Sequence, residues 1–213
     1  PGKRLVLSKG HGQTALVAAL AEFRPPYWDA PAWRWREVYA TREEMPDAHP
    51  CRRTSPWVEM SSGSLGHGLG FAVGLARGLN LAGGVNAAVA VVLGDGECQE
   101  GSVWEAARLA GELRLGNLLV VVDANGVQAT GDCPGTMLAE RFRSFGWETM
   151  TVSDRPEYMI PALDDRLLPA KPTAVVVRTR AGVTFMDADP LAWHYKVPTA
   201  DDVERAGKEL ADA

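Results

Sequence analysis

The hydrophobic positions of this chain fall into short apolar runs that are separated by glycine-rich or polar segments. Two of these runs, Ala87–Leu93 and Leu118–Val122, are apolar throughout and rich in β-branched residues, which is typical of strands buried on both faces of a parallel sheet. The residues from Ser102 to about 115 predict a helix between them, with Ser102 and Glu105 as a capping box. The two strands should therefore lie parallel and be joined by a right-handed crossover.

Further elements follow from the same pattern, and together they predict one doubly wound α/β domain with a mostly parallel sheet over residues 1–213. Residues 24–57 interrupt it as an inserted segment, rich in proline and tryptophan, with no sustained periodicity. The other predicted elements are an apolar patch at Leu5–Leu7, a helix at Gln13–Phe23, a glycine-rich turn at Gly63–Gly70 leading into a helix that ends near Asn80, a helix C-terminus at Gly116, weaker strands at 148–152 and 173–179, and a helix near 157–168.

Composition excludes several classes of protein. The 213 residues carry a net charge of −5 and are 46% hydrophobic and 23% charged, which is typical of a globular chain that buries a core and untypical of a disordered one. The acidic balance provides no general attraction for nucleic acid or anionic membranes. No apolar run approaches a bilayer span, no signal peptide opens the chain, and Cys51, Cys98 and Cys133 lack metal-site spacing. We therefore expect a cytoplasmic protein.

Polar residues follow the two predicted buried strands, each at the point where its strand ends. Asp95 comes directly after the first strand, and Asn125 follows the second one, one strand–helix–strand circuit later. The carboxyl ends of parallel strands meet at one edge of a sheet, where ligands bind, and a carboxylate with an amide oxygen suits Mg²⁺. Gly94 and Gly96 allow a phosphate to approach the backbone closely, and the N-terminus of the next helix provides free N–H groups. These residues predict a site for Mg²⁺ and a diphosphate.

Long stretches of the chain resemble the transketolase family in the correct order. The resemblance rests on GDGECQEGSVWEAARLAGELRLGNLLVVVDANGVQ at 94–128, LVLSKGHG at 5–12, HP at 49–50, SSGSLGHGLGFAVGLA at 61–76 and GVTFMDADPLAWH at 182–194. The chain looks most like the N-terminal, cofactor-binding subunit of a split transketolase. This implies the thiamine diphosphate-binding fold, with thiamine diphosphate and Mg²⁺ as cofactors.

The resemblance also implies roles for individual residues. Asp95, Asn125 and the backbone carbonyl of Val127 would bind Mg²⁺, and Glu100 would reach across a dimer to couple two active sites. His11 and His194 would lie near the diphosphate and the reacting carbons, and His49 would bind the hydroxyls of the donor ketose. The cofactor-binding set implied by the family comprises Gly63, Ser64, Leu65, Gly94, Gly96, Glu97, Asn125, His11 and His194, with the Gly96 amide on the diphosphate.

The histidines provide an independent indication. The chain has four, at positions 11, 49, 67 and 194, and each one lies inside a family motif. Histidine titrates near neutrality and donates hydrogen bonds to carbonyl or alkoxide oxygens, which suits the cleavage and rebuilding of a ketol bond. We expect three of them to be functional, and His67 to shape the glycine-rich turn.

The expected function is the transfer of a two-carbon ketol unit from a ketose phosphate to an aldose phosphate. A lipoyl group or an acyl or lipoyl carrier protein in a biosynthetic pathway is the alternative acceptor. A pyrimidine-binding, C-terminal transketolase subunit would complete the site in an α₂β₂ heterotetramer, since the family carries its activating glutamate on that other domain. The remaining alternatives are the α subunit of a 2-oxoacid dehydrogenase and a non-catalytic scaffold subunit.

Overall fold

A computed structural model describes residues 2–23, 49–55, 58–84, 87–133, 137–164, 170–180 and 182–211. Most of the predicted insertion at 24–57 lies outside the described residues. No helix in the described ranges combines the length and apolar character that a bilayer crossing requires.

A five-stranded parallel sheet forms the centre of the structure, in the order β1-β2-β3-β7-β6, and a two-stranded antiparallel hairpin, β4-β5, projects from it. The prediction of a parallel α/β sheet is confirmed. The strands are β1 (Arg4–Leu7), β2 (Val89–Gly94), β3 (Leu118–Ala124), β4 (Val127–Gln128), β5 (Gly131–Asp132), β6 (Glu148–Ser153) and β7 (Thr173–Arg178).

Seven helices are found in the described ranges. The predicted helix at Gln13–Phe23 has those bounds in the structure, and the glycine-rich turn leads into a helix as expected. The helices are α1 (Gln13–Phe23), α2 (His67–Leu81), α3 (Gly101–Glu112), α4 (Leu138–Ser144), α5 (Pro156–Asp164), α6 (Pro190–Tyr195) and α7 (Ala200–Ala211), with short 3₁₀ turns at Gly10–Gly12, Glu97–Gln99 and Thr184–Ala188.

Helices cover both faces of the sheet because its central strands are apolar on both sides. Side chains alternate along β3, so that Val120 points into a large core formed with α2, α3 and α4, while Leu119 points into a smaller core formed with α5. Phe142 of α4 is fully buried in the larger core, where it packs against Trp104 and Trp147. The sheet is therefore doubly wound, as predicted.

The predicted capping box at Ser102 and Glu105 is wrong. Helix α3 begins at Gly101 with Glu100 as its N-cap residue, and no side chain caps it. The Ser102 hydroxyl donates instead to the Gly66 carbonyl at 3.1 Å. A partner that is distant in sequence thus takes the hydroxyl that a local capping motif would have used.

The C-terminus of α3 also differs from the prediction. The helix ends at Glu112, and the left-handed residue beyond it is Arg114, with φ of 49°, not Gly116. The chain then enters β3 within a few residues, at Leu118.

Candidate active site

The carboxyl edge of the sheet carries the predicted metal-binding carboxylate. Asp95 follows β2 directly and is only 3% exposed. Its two carboxylate oxygens accept hydrogen bonds from the Gly96 N–H at 2.9 Å and the Gly126 N–H at 2.7 Å. Burial raises the pKa of Asp95, against the opposing effects of those two backbone bonds and of the charge of Lys9. A divalent cation would compensate this desolvated carboxylate.

The second predicted metal ligand lies at the neighbouring strand end. Asn125 follows β3, and its Oδ1 accepts a hydrogen bond from the Val127 N–H at 3.0 Å. The bond from the Gly126 N–H to Asp95 joins this loop to the β2 end. The structure therefore brings together the loops that carry Asp95, Asn125 and Val127. Their oxygen donors are of the type that Mg²⁺ takes, with water and phosphate completing its coordination.

The donor set does not form a conventional cluster of charged ligands. Within the described ranges, no three His, Cys, Asp or Glu side chains are grouped closely enough to hold a metal ion. The predicted set contains one carboxylate, one amide and one backbone carbonyl. It therefore fits an ion that binds few protein groups and depends on a ligand such as a diphosphate for the rest.

A charged network that the sequence reasoning missed joins the ends of β1, β3 and β7 at this edge. The Lys9 ammonium group pairs with one oxygen of Asp123, and the Thr179 hydroxyl donates to the other. Lys9 lies beyond β1, Asp123 is near the end of β3, and Thr179 follows β7. The lysine side chain also passes close to Gly94. The common signal was position, since all three residues lie at carboxyl ends of strands.

Glu97 is buried beside the glycine-rich turn at Gly63–Gly70, part of which is predicted to contact the cofactor. One of its carboxylate oxygens accepts hydrogen bonds from the Ser8 hydroxyl and from the Gly66 N–H at 2.9 Å, and the other accepts from the Gly94 N–H at 3.2 Å. Its carboxylate thus links the ends of β1 and β2 to the glycine-rich turn. A direct contact between Glu97 and a cofactor stays a prediction, and sequence reasoning missed this linking role.

The glycine-rich turn packs tightly against the start of α3. Gly66 has φ of +80°, and a Cβ at this position would lie 2.8 Å from the Glu100 Cβ and would overlap the Ser102 hydroxyl. Gly63, with φ of +139°, lies against the ring of His49. Between them, Ser64 and Leu65 are exposed. The turn therefore offers an accessible surface directly beside His49.

Three of the four histidines come together from distant parts of the chain. The ring centroid of His11 lies 5.4 Å from that of His49 and 5.4 Å from that of His194. Partial burial, reinforced by the charges of His194, His49 and Lys9, lowers the pKa of His11 below its ordinary value of 6.5. His11 is therefore neutral at physiological pH, with one ring nitrogen available to donate and the other to accept. We name His11, His49 and His194 the histidine cluster.

Two further predicted residues lie at the surface, and a cysteine beside the site is buried. His67 is exposed at the start of α2, outside the histidine cluster, and Glu100 is exposed at the N-terminus of α3. Cys98 is buried beside Asp95 and Glu97, and this burial raises the pKa of its thiol. It is therefore a protonated packing residue, since a reactive cysteine needs a lowered pKa.

A parallel α/β sheet that presents an acid, an amide and backbone N–H groups at its carboxyl edge defines a class of domains that bind phosphate-bearing cofactors. The family model for the transketolase, thiamine diphosphate binding domain matches residues 2–210. The chain belongs to this family, which confirms the resemblance found in the sequence.

Relatives within the family include components of divided enzymes. The chain is 34% identical to a subunit of the apulose-4-phosphate transketolase of Actinobacillus succinogenes, over 97% of this chain and 75% of that protein. It is 33% identical to the 6-deoxy-6-sulfo-D-fructose transketolase subunit SqwG of a Clostridium species, over 84% of this chain and 65% of that protein. The chain is thus similar to the N-terminal subunits of split transketolases.

Solved transketolases share the fold. The crystal structure of transketolase from Campylobacter jejuni superposes with a TM-score of 0.68 and 28% identity, covering 83% of this chain and 29% of that one. The chain therefore spans about a third of the length of the solved transketolases that it resembles.

Proposed function

We propose that this chain is the cofactor-binding subunit of a transketolase-type enzyme that uses thiamine diphosphate and Mg²⁺. The observation that carries the proposal is that a buried carboxylate, Asp95, and the histidine cluster both lie at the carboxyl edge of one sheet. The carboxylate suits a metal–diphosphate group, and the histidine cluster suits the hydroxyls and carbonyl of a sugar.

Three groups of this chain would hold the metal: the Asp95 carboxylate, the Asn125 amide oxygen and the Val127 carbonyl. The Gly96 N–H, which donates to Asp95 at 2.9 Å in this structure, is the proposed donor to the diphosphate. Residues 63–65 would pack against the rings of the cofactor, and the exposure of Ser64 and Leu65 supports this. When bound, thiamine diphosphate supplies the carbanion chemistry, and the protein supplies binding, orientation and electrostatics.

The histidine cluster would bind the reacting sugar. Because its pKa is lowered, His11 is neutral at pH 7 and can exchange a proton with a substrate hydroxyl. His49 lies against Gly63 of the proposed cofactor loop and would donate to the hydroxyls of the donor ketose. The ring of His194 also lies beside that of His11, with 5.4 Å between the two centroids. This arrangement would hold a polyol chain beside the cofactor.

The proposed reaction moves a two-carbon ketol unit from a ketose phosphate to an aldose phosphate. Two relatives are named for apulose 4-phosphate and for 6-deoxy-6-sulfo-D-fructose, and each of these is a modified sugar with an acidic group. Acidic sugars are therefore the donors and acceptors to test first. A lipoyl or acyl carrier protein is the other acceptor that we test.

A second chain would complete the enzyme. The relatives that are named as transketolase subunits support a separate pyrimidine-binding partner. Glu100 is exposed beside the cofactor loop, as a residue that reaches across an interface must be. We propose an α₂β₂ assembly in the cytoplasm.

Calorimetry tests the cofactor site directly. Thiamine diphosphate should bind the full chain, in complex with its partner subunit, only when Mg²⁺ is present, and Asp95→Asn should abolish that binding. Asp132→Asn, at an exposed position in β5, is the matched control and should bind normally. An intact complex that binds no cofactor would overturn the proposal and favour a scaffold subunit.

Product analysis then tests the reaction. Ketol transfer between sugar phosphates supports the proposal. If the donor is cleaved and the ketol unit reaches a carrier protein but no aldose phosphate, the carrier protein replaces the aldose phosphate as the proposed acceptor. Decarboxylation of pyruvate-like acids in place of ketose cleavage would identify a 2-oxoacid dehydrogenase subunit.

A further inference from the structure

The C-terminal segment, residues 182–211, is packed largely on itself. The Thr184 N–H donates to the Glu209 carboxylate at 2.7 Å, and the Thr184 hydroxyl donates to its other oxygen. The Arg205 guanidinium lies 4.3 Å from the centre of the Phe185 ring, which in turn contacts Trp193. These contacts hold the segment together without holding it to the sheet.

A hydrogen bond attaches this segment to the β4–β5 hairpin. The Tyr195 hydroxyl donates to the Ala129 carbonyl at 2.6 Å. Nearer the end of β7, the Arg180 guanidinium also pairs with the Asp187 carboxylate of the segment at 3.4 Å. The Tyr195 bond is thus the contact that holds the C-terminal end of α6 to the hairpin, beside the contact between the His194 and His11 rings.

The two residues joined by this bond lie beside the proposed metal ligand Val127 and beside the histidine cluster. Ala129 is in the turn of the β4–β5 hairpin, two residues after Val127. Tyr195 is the last residue of α6, and its ring centroid lies 5.1 Å from that of His194. The phenol thus contacts the hairpin through its hydroxyl and the histidine cluster through its ring.

Helix α6 needs such an attachment. It has only six residues, and an isolated helix of that length is unstable in water, because forming its first turn costs more than one hydrogen bond returns. Its N-terminus is capped by Asp189, whose carboxylate accepts from the Ala192 N–H at 2.9 Å, but that cap fixes only the start of the helix. His194 lies at the other end, where the Tyr195 bond acts.

We propose that Tyr195 is a positioning residue that sets His194 against His11 by fastening α6 to the β4–β5 hairpin. The inference rests on the proposed function, since it assigns Tyr195 to the site in which His194 takes part. Tyr195 does not itself touch the reacting atoms. It acts through His194, and we expect loss of its hydroxyl to leave the binding of cofactor at Asp95, Asn125 and residues 63–65 unchanged.

Hydrogen exchange tests the attachment without any assay of activity. In the full chain, Tyr195→Phe should speed exchange of the Trp193 and Lys196 amides, which bond to Asp189 and Ala192, by about two- to tenfold, the range expected for one lost hydrogen bond. Exchange in β3 should not change. Tyr158→Phe, at an exposed tyrosine of α5, is the matched control. Unchanged exchange in α6, or an equal change in both variants, would overturn the proposal.

Kinetic measurements on the complex with the partner subunit test whether Tyr195 acts through His194. Tyr195→Phe should raise the KM for the donor ketose by about two- to tenfold while the affinity for thiamine diphosphate stays the same. In a His194→Asn background the same substitution should have no further effect, because the residue it positions is gone. An equal loss in both backgrounds would overturn the proposal. Failure of the wild-type complex to bind the cofactor would instead overturn the proposed function, and the exchange experiment would still test Tyr195.

Discussion

Glu97 shows how a buried charge at the residue scale can hold a binding loop in place. Its carboxylate accepts hydrogen bonds from Ser8, Gly66 and Gly94, so that three donors from three segments converge on one side chain. A carboxylate suits this position because both of its oxygens only accept.

Glu97→Gln should lower the free energy of unfolding by about 1–3 kcal/mol, because the amide turns an NH₂ group towards a donor and leaves a buried N–H unpaired. Urea denaturation of the full chain measures this change. Glu105→Gln, at an exposed position on α3, is the control and should change stability little. Equal stability of the two variants would show that Glu97 does not hold the loop.

His11 provides a test by pH at the same scale. Its pKa lies below 6.5 in the folded chain and returns to about 6.5 on unfolding, so the unfolded chain binds the proton first as the pH falls. The stability that neutral His11 contributes is present above pH 6.5 and is lost as the pH falls through 6.5 towards the lowered pKa. His11→Asn should therefore lose less stability than the wild type between about pH 7.5 and about pH 5.5.

Urea denaturation at the two pH values measures this difference. His67→Asn replaces an exposed histidine outside the histidine cluster and serves as the control. The explanation fails if the two variants change the pH dependence of stability equally.

At the scale of elements, the glycine-rich turn is held against the start of α3 by hydrogen bonds and close packing. The Gly66 N–H donates to Glu97, and its carbonyl accepts from Ser102. No side chain fits there, because φ is +80° and the Glu100 Cβ lies in the way. These contacts of Gly66 fix the position of the neighbouring residues 63–65 relative to the start of α3.

Gly66→Ala should destabilise the chain by roughly 2–4 kcal/mol, through a left-handed alanine and an overpacked contact. Gly70→Ala, within α2, is the matched control, since a Cβ there meets nothing within 4 Å. It should stabilise the chain by about 0.5–1 kcal/mol because alanine is the better helix former. Thermal denaturation of both variants checks the signs, and a shift in the same direction for both would contradict this account.

The sequence predicted the elements whose signals are local. The apolar runs of β2 and β3 and the periodicity of α1 sufficed to locate these elements, because burial on one or two faces leaves a direct pattern in the chain. The hairpin β4–β5 has two residues in each strand, too few to leave a pattern. The capping box failed because the hydroxyl of Ser102 bonds to Gly66, thirty-six residues away, which no local motif can indicate.

The residues of the candidate site divide in the same way, into those with a local signal in the sequence and those without one. Asp95 and Asn125 could be predicted from strand ends, whereas the histidine cluster needed the family resemblance, since no spacing rule connects positions 11, 49 and 194. The network of Lys9, Asp123 and Thr179 was missed because it depends on the strand order, in which β7 lies beside β3. That order is a property of the tertiary structure and leaves no trace in a single stretch of sequence.

At the scale of the whole molecule, the proposed function makes the chain one part of a composite enzyme. The residues proposed to bind the metal and the sugar lie on this chain, but in the family that the chain resembles the glutamate that activates the cofactor is carried by another domain. We therefore expect the isolated chain to bind Mg²⁺ and cofactor more weakly than the complex and to transfer no ketol unit. Steady-state assays with and without the partner subunit measure this. Full turnover by the isolated chain would show that the site is complete without a partner.

The contact between His11 and His194 has a consequence for synthesis on the ribosome. These two rings lie near opposite ends of the described chain, so the contact can form only after nearly all of the domain has been translated. The strands that carry Asp95 and Asn125 are made much earlier and can pair before then. A nascent chain can therefore form the loops around Asp95 and Asn125 before it is long enough to complete the histidine cluster.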